Sequence, residues 1–201
     1  MRIGLYFGTY NPIHVGHLII ANHMAERDDM DQVWLVVTPQ NPLKSNNNLL
    51  ADYHRLALVK IAIDDNFNLR ASDVEFNLPK PSYTLDTLAH LREQYPEHQF
   101  ALIMGEDNLR TFHKWKNYEV ILDRHQIYVY PRPITLAELN NQVAPTLSEI
   151  HNHKNVIITD SPMMQISSTI IRNNIQKGQS IQYLVTDPVR QYIDEMNFYR
   201  Q

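Results

Sequence analysis

Apolar positions along the chain alternate between two patterns. Short, nearly continuous apolar runs stand at RIGLYFG (2–8), QVWLVVTP (32–39), HQFALIMG (98–105), HQIYVYP (125–131) and NVIITD (155–160). Each is too short for a helix and is bounded by glycine, proline or polar residues, which predicts strands; 2–8 reads as a buried one and 32–39 as one covered on both faces, as in a parallel sheet. A further strand is expected within FNLRASDVEF (67–76). Between these runs the apolar residues recur three or four apart. VGHLIIANHMAER (15–27) carries Leu18, Ile19, Ala21, Met24 and Ala25 at helical spacing, and LADYHRLALVKIAID (50–64) turns Leu56, Val59 and Ile63 inward. A third helix follows the prolines at Pro79 and Pro81, with Ser82 as its expected N-cap. NYEVILD (117–123), a stretch from Thr135 to Asn152 broken at Pro145, SSTIIRNNIQKG (167–178) and PVRQYIDEMNFY (188–199) also read as helical, whereas QNPLKSNNN (40–48) reads as a polar loop. Alternating strands and helices predict a doubly wound α/β fold, a parallel sheet with helices on both faces. The expectation is one domain over residues 1–201, with a small C-terminal helical part from roughly 165 to 201. Such folds bind ligands outside the carboxyl ends of the strands, near a switch in strand order.

Composition narrows the function classes. The chain has 201 residues, 43% of them apolar, and a net charge of −4. Without a global basic field, nucleic acid and anionic membrane are not expected partners, so an anionic ligand would need local cations and backbone N–H groups. Cysteine is absent, which removes disulfides and thiolate zinc sites. No stretch approaches the roughly 20 apolar residues of a membrane span, and the first residues lack the charged and apolar regions of a secretory signal. A soluble cytoplasmic protein is the resulting expectation. The sequence leaves room for a homo-oligomer without specifying one.

The chemistry gathers where the first strand ends. In GLYFGTYNPIHVGHL (4–18) the strand stops at Gly8, a turn runs from Thr9 to Ile13, and a helix follows. A helix start presents N–H groups and a positive dipole end to an anion, and Gly8 and Gly16 let a phosphate approach the backbone. His14 and His17 lie one turn apart, so both rings can face one side and donate to phosphate oxygen. The same pair also reads as a buried structural pair or, with no third ligand nearby in sequence, as a metal pair. G-x-G-x-x-G and G-x-x-x-x-G-K-[ST] are both absent, against a dinucleotide oxidoreductase and against P-loop hydrolysis. Near the other end, Ser167, Ser168 and Thr169 precede a helical segment, where hydroxyls can cap the helix or hold phosphate. Arg172 falls three and four residues beyond the last two hydroxyls, on their face.

GTYNPIHVGH resembles the (T/H)xGH signature of the nucleotidyltransferase superfamily, and ISSTIIR, Ile166 to Arg172, resembles its second signature, ISSTxxR. Three middle segments resemble the nicotinate mononucleotide adenylyltransferase family within it: PSYTLDTL (81–88), MGEDNLRTFHKWKNYEVIL (104–122) and TPQNPLK (38–44). The likeness spans nearly the whole chain and implies a Rossmann-like fold. The chain departs from the family pattern at Phe7, Tyr10, Asn11, Leu43 and Glu106, none of which removes the histidine pair or the ISST segment.

The resemblance implies transfer of the adenylyl group of ATP to nicotinate mononucleotide, with pyrophosphate as the other product and Mg²⁺ accompanying ATP. His14, His17, Lys44 and Arg172 would be the catalytic residues. ATP would be bound by Gly8, Thr9, His14, His17, Ile166, Ser167, Ser168, Thr169 and Arg172. The mononucleotide would be bound by Asn41, Lys44, Tyr83, Thr84, Gly105, Asp107, Trp115 and Arg132, and no protein metal ligand is expected. The chemistry of these residue types agrees: a pyridinium suits the face of Trp115, a carboxylate suits N–H donors near Tyr83 and Thr84, a phosphate suits Lys44 or Arg132, and a ribose hydroxyl suits Asp107. Each also has a plainer reading, as a packing residue, a helix cap or a solvated charge. A nicotinamide-preferring enzyme, a phosphopantetheine adenylyltransferase and a non-catalytic nucleotide-binding regulator share the two outer signatures.

Overall fold

The structure is a computed structural model that describes residues 1–39, 49–132 and 149–200. Its strands are β1 (Arg2–Gly8), β2 (Gln32–Val37), β3 (Leu69–Ser72), β4 (Gln99–Gly105), β5 (Ile127–Tyr130) and β6 (Val156–Ile158). The helices are α1 (Val15–Ala25), α2 (Asp52–Ala62), α3 (Thr84–Gln94), α4 (Glu106–Thr111), α5 (Tyr118–Arg124), α6 (Ser168–Gln176) and α7 (Asp187–Glu195). All six expected strands and the helices expected outside residues 133–148 are present. The loop 40–48 and most of the 135–152 stretch lie outside the described residues, although 149–151 are helical.

The strands hydrogen-bond in the order β3-β2-β1-β4-β5-β6, every pair parallel. The chain builds outward from β1 to β3, then crosses back to lay β4 on the other side of β1. That reversal leaves a crevice above the carboxyl ends of β1 and β4, at Gly8 and Gly105.

Alternation along each strand divides the core in two. Tyr6, Val33, Leu35, Val37, Ala101, Ile103 and Tyr128 face α1, α2, α6 and α7, while Ile3, Leu5, Trp34, Val36, Leu102, Met104 and Val129 face α3, α4 and α5. Leu5 and Leu35 are fully buried, and each such side chain contributes about 1.5–3 kcal/mol. The C-terminal helices share the core of α1 and α2, through Ile171, Val189 and Ile193. Helix α2 buries Arg55, Leu58, Val59 and Ala62; of the residues expected to face inward, Val59 and Ile63 are buried and Leu56 is partly buried against the core.

Candidate functional site

Strand β1 delivers the chain to a constrained turn. Tyr10 sits at φ 46°, the left-handed region that costs an L-residue about 1 kcal/mol. Its buried ring and a 2.6 Å bond from its hydroxyl to the Tyr6 carbonyl hold it there. The ring lies over Gly8, where a Cβ would come within 2.8 Å of it, so the position requires glycine.

Helix α1 then starts on a reciprocal histidine cap. The His17 N–H donates to His14 Nδ1 at 3.3 Å, and the His14 N–H donates to His17 Nδ1 at 3.3 Å. An Nδ1 that accepts carries no proton, so the proton of each neutral ring sits on Nε2. The rings stack at 3.7 Å with 22° between their planes. Burial, with the Arg132 charge second, lowers the His14 pKa from 6.5 to about 4, so this imidazole is neutral near pH 7. Val15 N–H donates to the Leu184 carbonyl and His17 N–H is used by the cap, so the helix start is less open than the sequence suggests. What it presents to the cavity is its dipole end, the Gly16 backbone and the imidazoles of His14 and His17.

The second cluster is fastened to this turn. Ser168 Oγ donates to the Pro12 carbonyl at 2.8 Å, and Arg172 Nη1 donates to the Asn11 carbonyl at 2.7 Å. Ser167 is the N-cap of α6, its Oγ accepting from Ile170 N–H at 3.3 Å. Arg172 Nη2 donates to Thr169 Oγ1 at 3.2 Å. Ser167 and Thr169 therefore accept through oxygen and keep their O–H protons for a phosphate, whereas the Ser168 proton is spent on Pro12. At Gly16 a Cβ would stand 3.1 Å from His14 Nδ1, so the cap ring would have to give way, while the Ile166 Cβ at 3.6 Å would be in ordinary contact.

They enclose a cavity of about 310 Å³ whose lining includes Gly8, Thr9, His14, His17, Ile166 and the 167–169 hydroxyls with Arg172. Asp107 and Arg132 complete it from the β4 and β5 side, paired at 3.2 Å. Gly105 allows that pair: a Cβ there would collide with the Asp107 carboxylate and lie 2.9 Å from Arg132 Cδ. Asp107 Oδ1 is buried without a hydrogen-bond partner among the described residues. Among the described residues, no three histidine or carboxylate side chains stand together as a metal site.

A smaller chamber of about 100 Å³ adjoins the first, sharing Gly8, Thr9, Asn108 and Tyr130 with it. Trp115 and Thr38 line it, and the Trp115 ring meets Phe112 edge-on at 5.2 Å. Tyr83 and Thr84 stand at the start of α3 but line neither cavity. Lys116, 4.7 Å from the Tyr83 ring centre and 3.1 Å from Asp86, ties that helix start to the Trp115 loop. The expected cap at Ser82 is not formed: α3 begins one residue later, with Tyr83 as N-cap, and the Ser82 side chain turns inward. Asn41 and Lys44 lie outside the described residues.

Sequence reasoning missed three groups. Arg55, fully buried, donates to the carbonyls of Leu50, Thr9, Thr38 and Pro39 and to Asp52, clamping the ends of β1 and β2. Its place three residues before Leu58, on the apolar face, was the available signal. Glu75 is 2% exposed, accepts from Thr87 Oγ1 at 2.8 Å, and has its pKa raised by burial. Tyr6 and Tyr130, joined through their hydroxyls at 3.1 Å, line both cavities and looked like ordinary strand residues.

The cytidylyltransferase-like family model matches residues 5–174. A Flavobacterium johnsoniae protein named "Probable nicotinate-nucleotide adenylyltransferase" is 56% identical over 201 residues, all of both chains. A Bacteroides fragilis protein of the same name is 42% identical over 92% of this chain and 87% of its own. In fold, the chain resembles a Plasmodium falciparum nicotinic acid mononucleotide adenylyltransferase solved with NaAD: TM-score 0.79, 18% identity, 98% and 97% of the two chains covered.

Proposed function

The chain belongs to the cytidylyltransferase-like family and, within it, to the nicotinate-nucleotide adenylyltransferases, and on that footing we propose how the two adjoining cavities at the β1 and β4 ends divide the reaction. The protein transfers the adenylyl group of ATP to nicotinate mononucleotide, giving nicotinate adenine dinucleotide and pyrophosphate. ATP occupies the larger cavity, and the mononucleotide sits with its pyridinium in the Trp115 chamber. The observation that carries this reading is the fastening of Ser168 and Arg172 to the carbonyls of Pro12 and Asn11, which sets the imidazoles and the guanidinium around one space.

The mononucleotide phosphate attacks the α-phosphorus of ATP in line. That phosphate is ionised near neutral pH, so no general base and no covalent intermediate are required. Catalysis is positioning plus stabilisation of charge on the phosphates. His14 and His17 donate from Nε2–H to the α-phosphate, and neutrality makes His14 a hydrogen-bond donor rather than a charge. Arg172, with the Ser167 and Thr169 hydroxyls, takes the β- and γ-phosphates and the departing pyrophosphate. Its bond to the Asn11 carbonyl aims the guanidinium before substrate arrives, which lowers the ordering cost. Arg132 faces the phosphates from β5, and Lys44 is assigned the mononucleotide phosphate from its place in the sequence. Trp115 stacks on the pyridinium; Tyr83 and Thr84, which line neither cavity, are assigned the carboxylate from their place in the sequence. Asp107, with one oxygen on Arg132 and the other unpaired, holds a ribose hydroxyl.

The donor set fits Mg²⁺ carried in by ATP and held by phosphate oxygens and water, since Asp107 is the one carboxylate lining the cavity among the described residues. When bound, Mg²⁺ neutralises charge on the triphosphate. The whole chain acts as one unit on this reading, its C-terminal helical part closing the cavity. The test is pyrophosphate release from ATP with nicotinate or nicotinamide mononucleotide in turn. Turnover is expected with the acid; release only with the amide, or binding without release, overturns the assignment.

A further inference from the structure

At the opposite end of the sheet, the amino ends of β1, β4 and β5 border a cavity of about 330 Å³. Arg2, Arg92, Arg124, His98 and His125 line it with Gln99 and Gln126, and no carboxylate does so among the described residues. That lining stands against the chain's net charge of −4. Arg92 and Arg124 make no ion pair or hydrogen bond with another described residue. Arg2 uses one guanidinium nitrogen on the Asp29 carbonyl at 3.3 Å. Of the two acids near Arg2, Asp29 is already engaged by Arg27 and the Tyr128 hydroxyl, and Asp31 accepts from the Arg2 backbone N–H at 2.6 Å.

The interior of the cavity feels that charge. His125 donates Nδ1–H to the Phe100 carbonyl at 3.0 Å, leaving Nε2 for a ligand. Burial lowers its pKa first, and the Arg92 and Arg124 charges lower it further. His98 Nδ1 is buried without a hydrogen-bond partner among the described residues. A cation in the last turn of a helix gains from the macrodipole, and both Arg92 of α3 and Arg124 of α5 hold such a place. The dipole alone gives no reason for these two and Arg2 to converge on one concave space with two imidazoles.

We propose that this cavity binds a polyphosphate anion, either inorganic pyrophosphate or the triphosphate of a free nucleotide. Guanidinium forks match the paired oxygens of phosphate, and several in one cleft favour a multiply charged anion over a single carboxylate. The anion cancels the field at His125, accepts from Arg92 and Arg124, and accepts from the imidazoles once they are protonated. The site lies at the far end of β1 and β4 from the His14–His17 cavity, so occupancy of the two is readable separately.

The test follows the histidine Cε1–H resonances of the full chain by NMR during addition of sodium pyrophosphate or ATP, with chloride at matched ionic strength as the control. Either anion is expected to shift His98 and His125 saturably and to raise the titration midpoint of His125. An Arg92→Gln/Arg124→Gln variant is expected to lose those shifts while His14 and His17 still respond. Both arginines are exposed and pair with no other described residue, so the variant keeps the fold. A response to pyrophosphate alone or to ATP alone supports the site and identifies its source of phosphate. No movement of His98 and His125 with either anion, or equal movement with chloride or in the double variant, overturns the proposal.

Discussion

Acid should weaken this fold through His14 in particular. The imidazole is buried, caps α1 through Nδ1, and has its pKa lowered from 6.5 to about 4. Between those values the unfolded chain binds a proton that the folded chain refuses. Stability from this group is therefore complete above pH 6.5 and is lost as pH falls toward 4. Linkage puts the loss at about 2 kcal/mol between pH 7 and pH 5, and at about 3 kcal/mol once both states are protonated. Asn at this position keeps an N-cap acceptor but cannot titrate. Urea unfolding of wild type and His14→Asn at pH 7 and pH 5, followed by circular dichroism, isolates the term, because every other titrating group is common to both. Wild type should lose about 2 kcal/mol more than the variant over that interval. Equal losses, or a His14 Cε1–H midpoint near 6.5, would show that burial does not hold the ring neutral.

Three further outcomes test the division of labour. His17→Ala should lower kcat by about 100-fold, the scale of one oxyanion donor, with a much smaller change in the KM for ATP; equal effects would make it a ground-state contact. Trp115→Ala should raise the KM for the mononucleotide about tenfold and leave that for ATP alone, with Trp115→Phe between the two, as loss of ring stacking requires; a matching rise for ATP would remove the ring from the pyridine site. Arg55→Met should cost about 3–5 kcal/mol in urea, because four carbonyls and the Asp52 carboxylate lose their partner; a cost under about 1 kcal/mol would mean the clamp is relaxed by water.

Local pattern determined much of this protein. Apolar runs marked five of the six strands and a more polar stretch held the sixth, three-and-four spacing marked most helices, and their alternation implied a parallel doubly wound sheet. The histidine pair and the ISST segment were legible because they sit at element ends, where side chains serve ligands or caps. The Ser82 cap misled because propensity names a residue type suited to a cap, while the interior around Glu75 decided which residue turned inward. Tertiary structure alone placed residues 11–12 against residues 168–172, gathered Arg2, Arg92 and Arg124 at one end of the sheet, and folded Arg55 under the strand ends. It also fixed the protonation of His14, since desolvation depends on what packs around the ring. The physical reason is range. Periodicity and capping act within a few turns of chain, whereas burial, charge convergence and the matching of donors to carbonyls join positions more than a hundred residues apart.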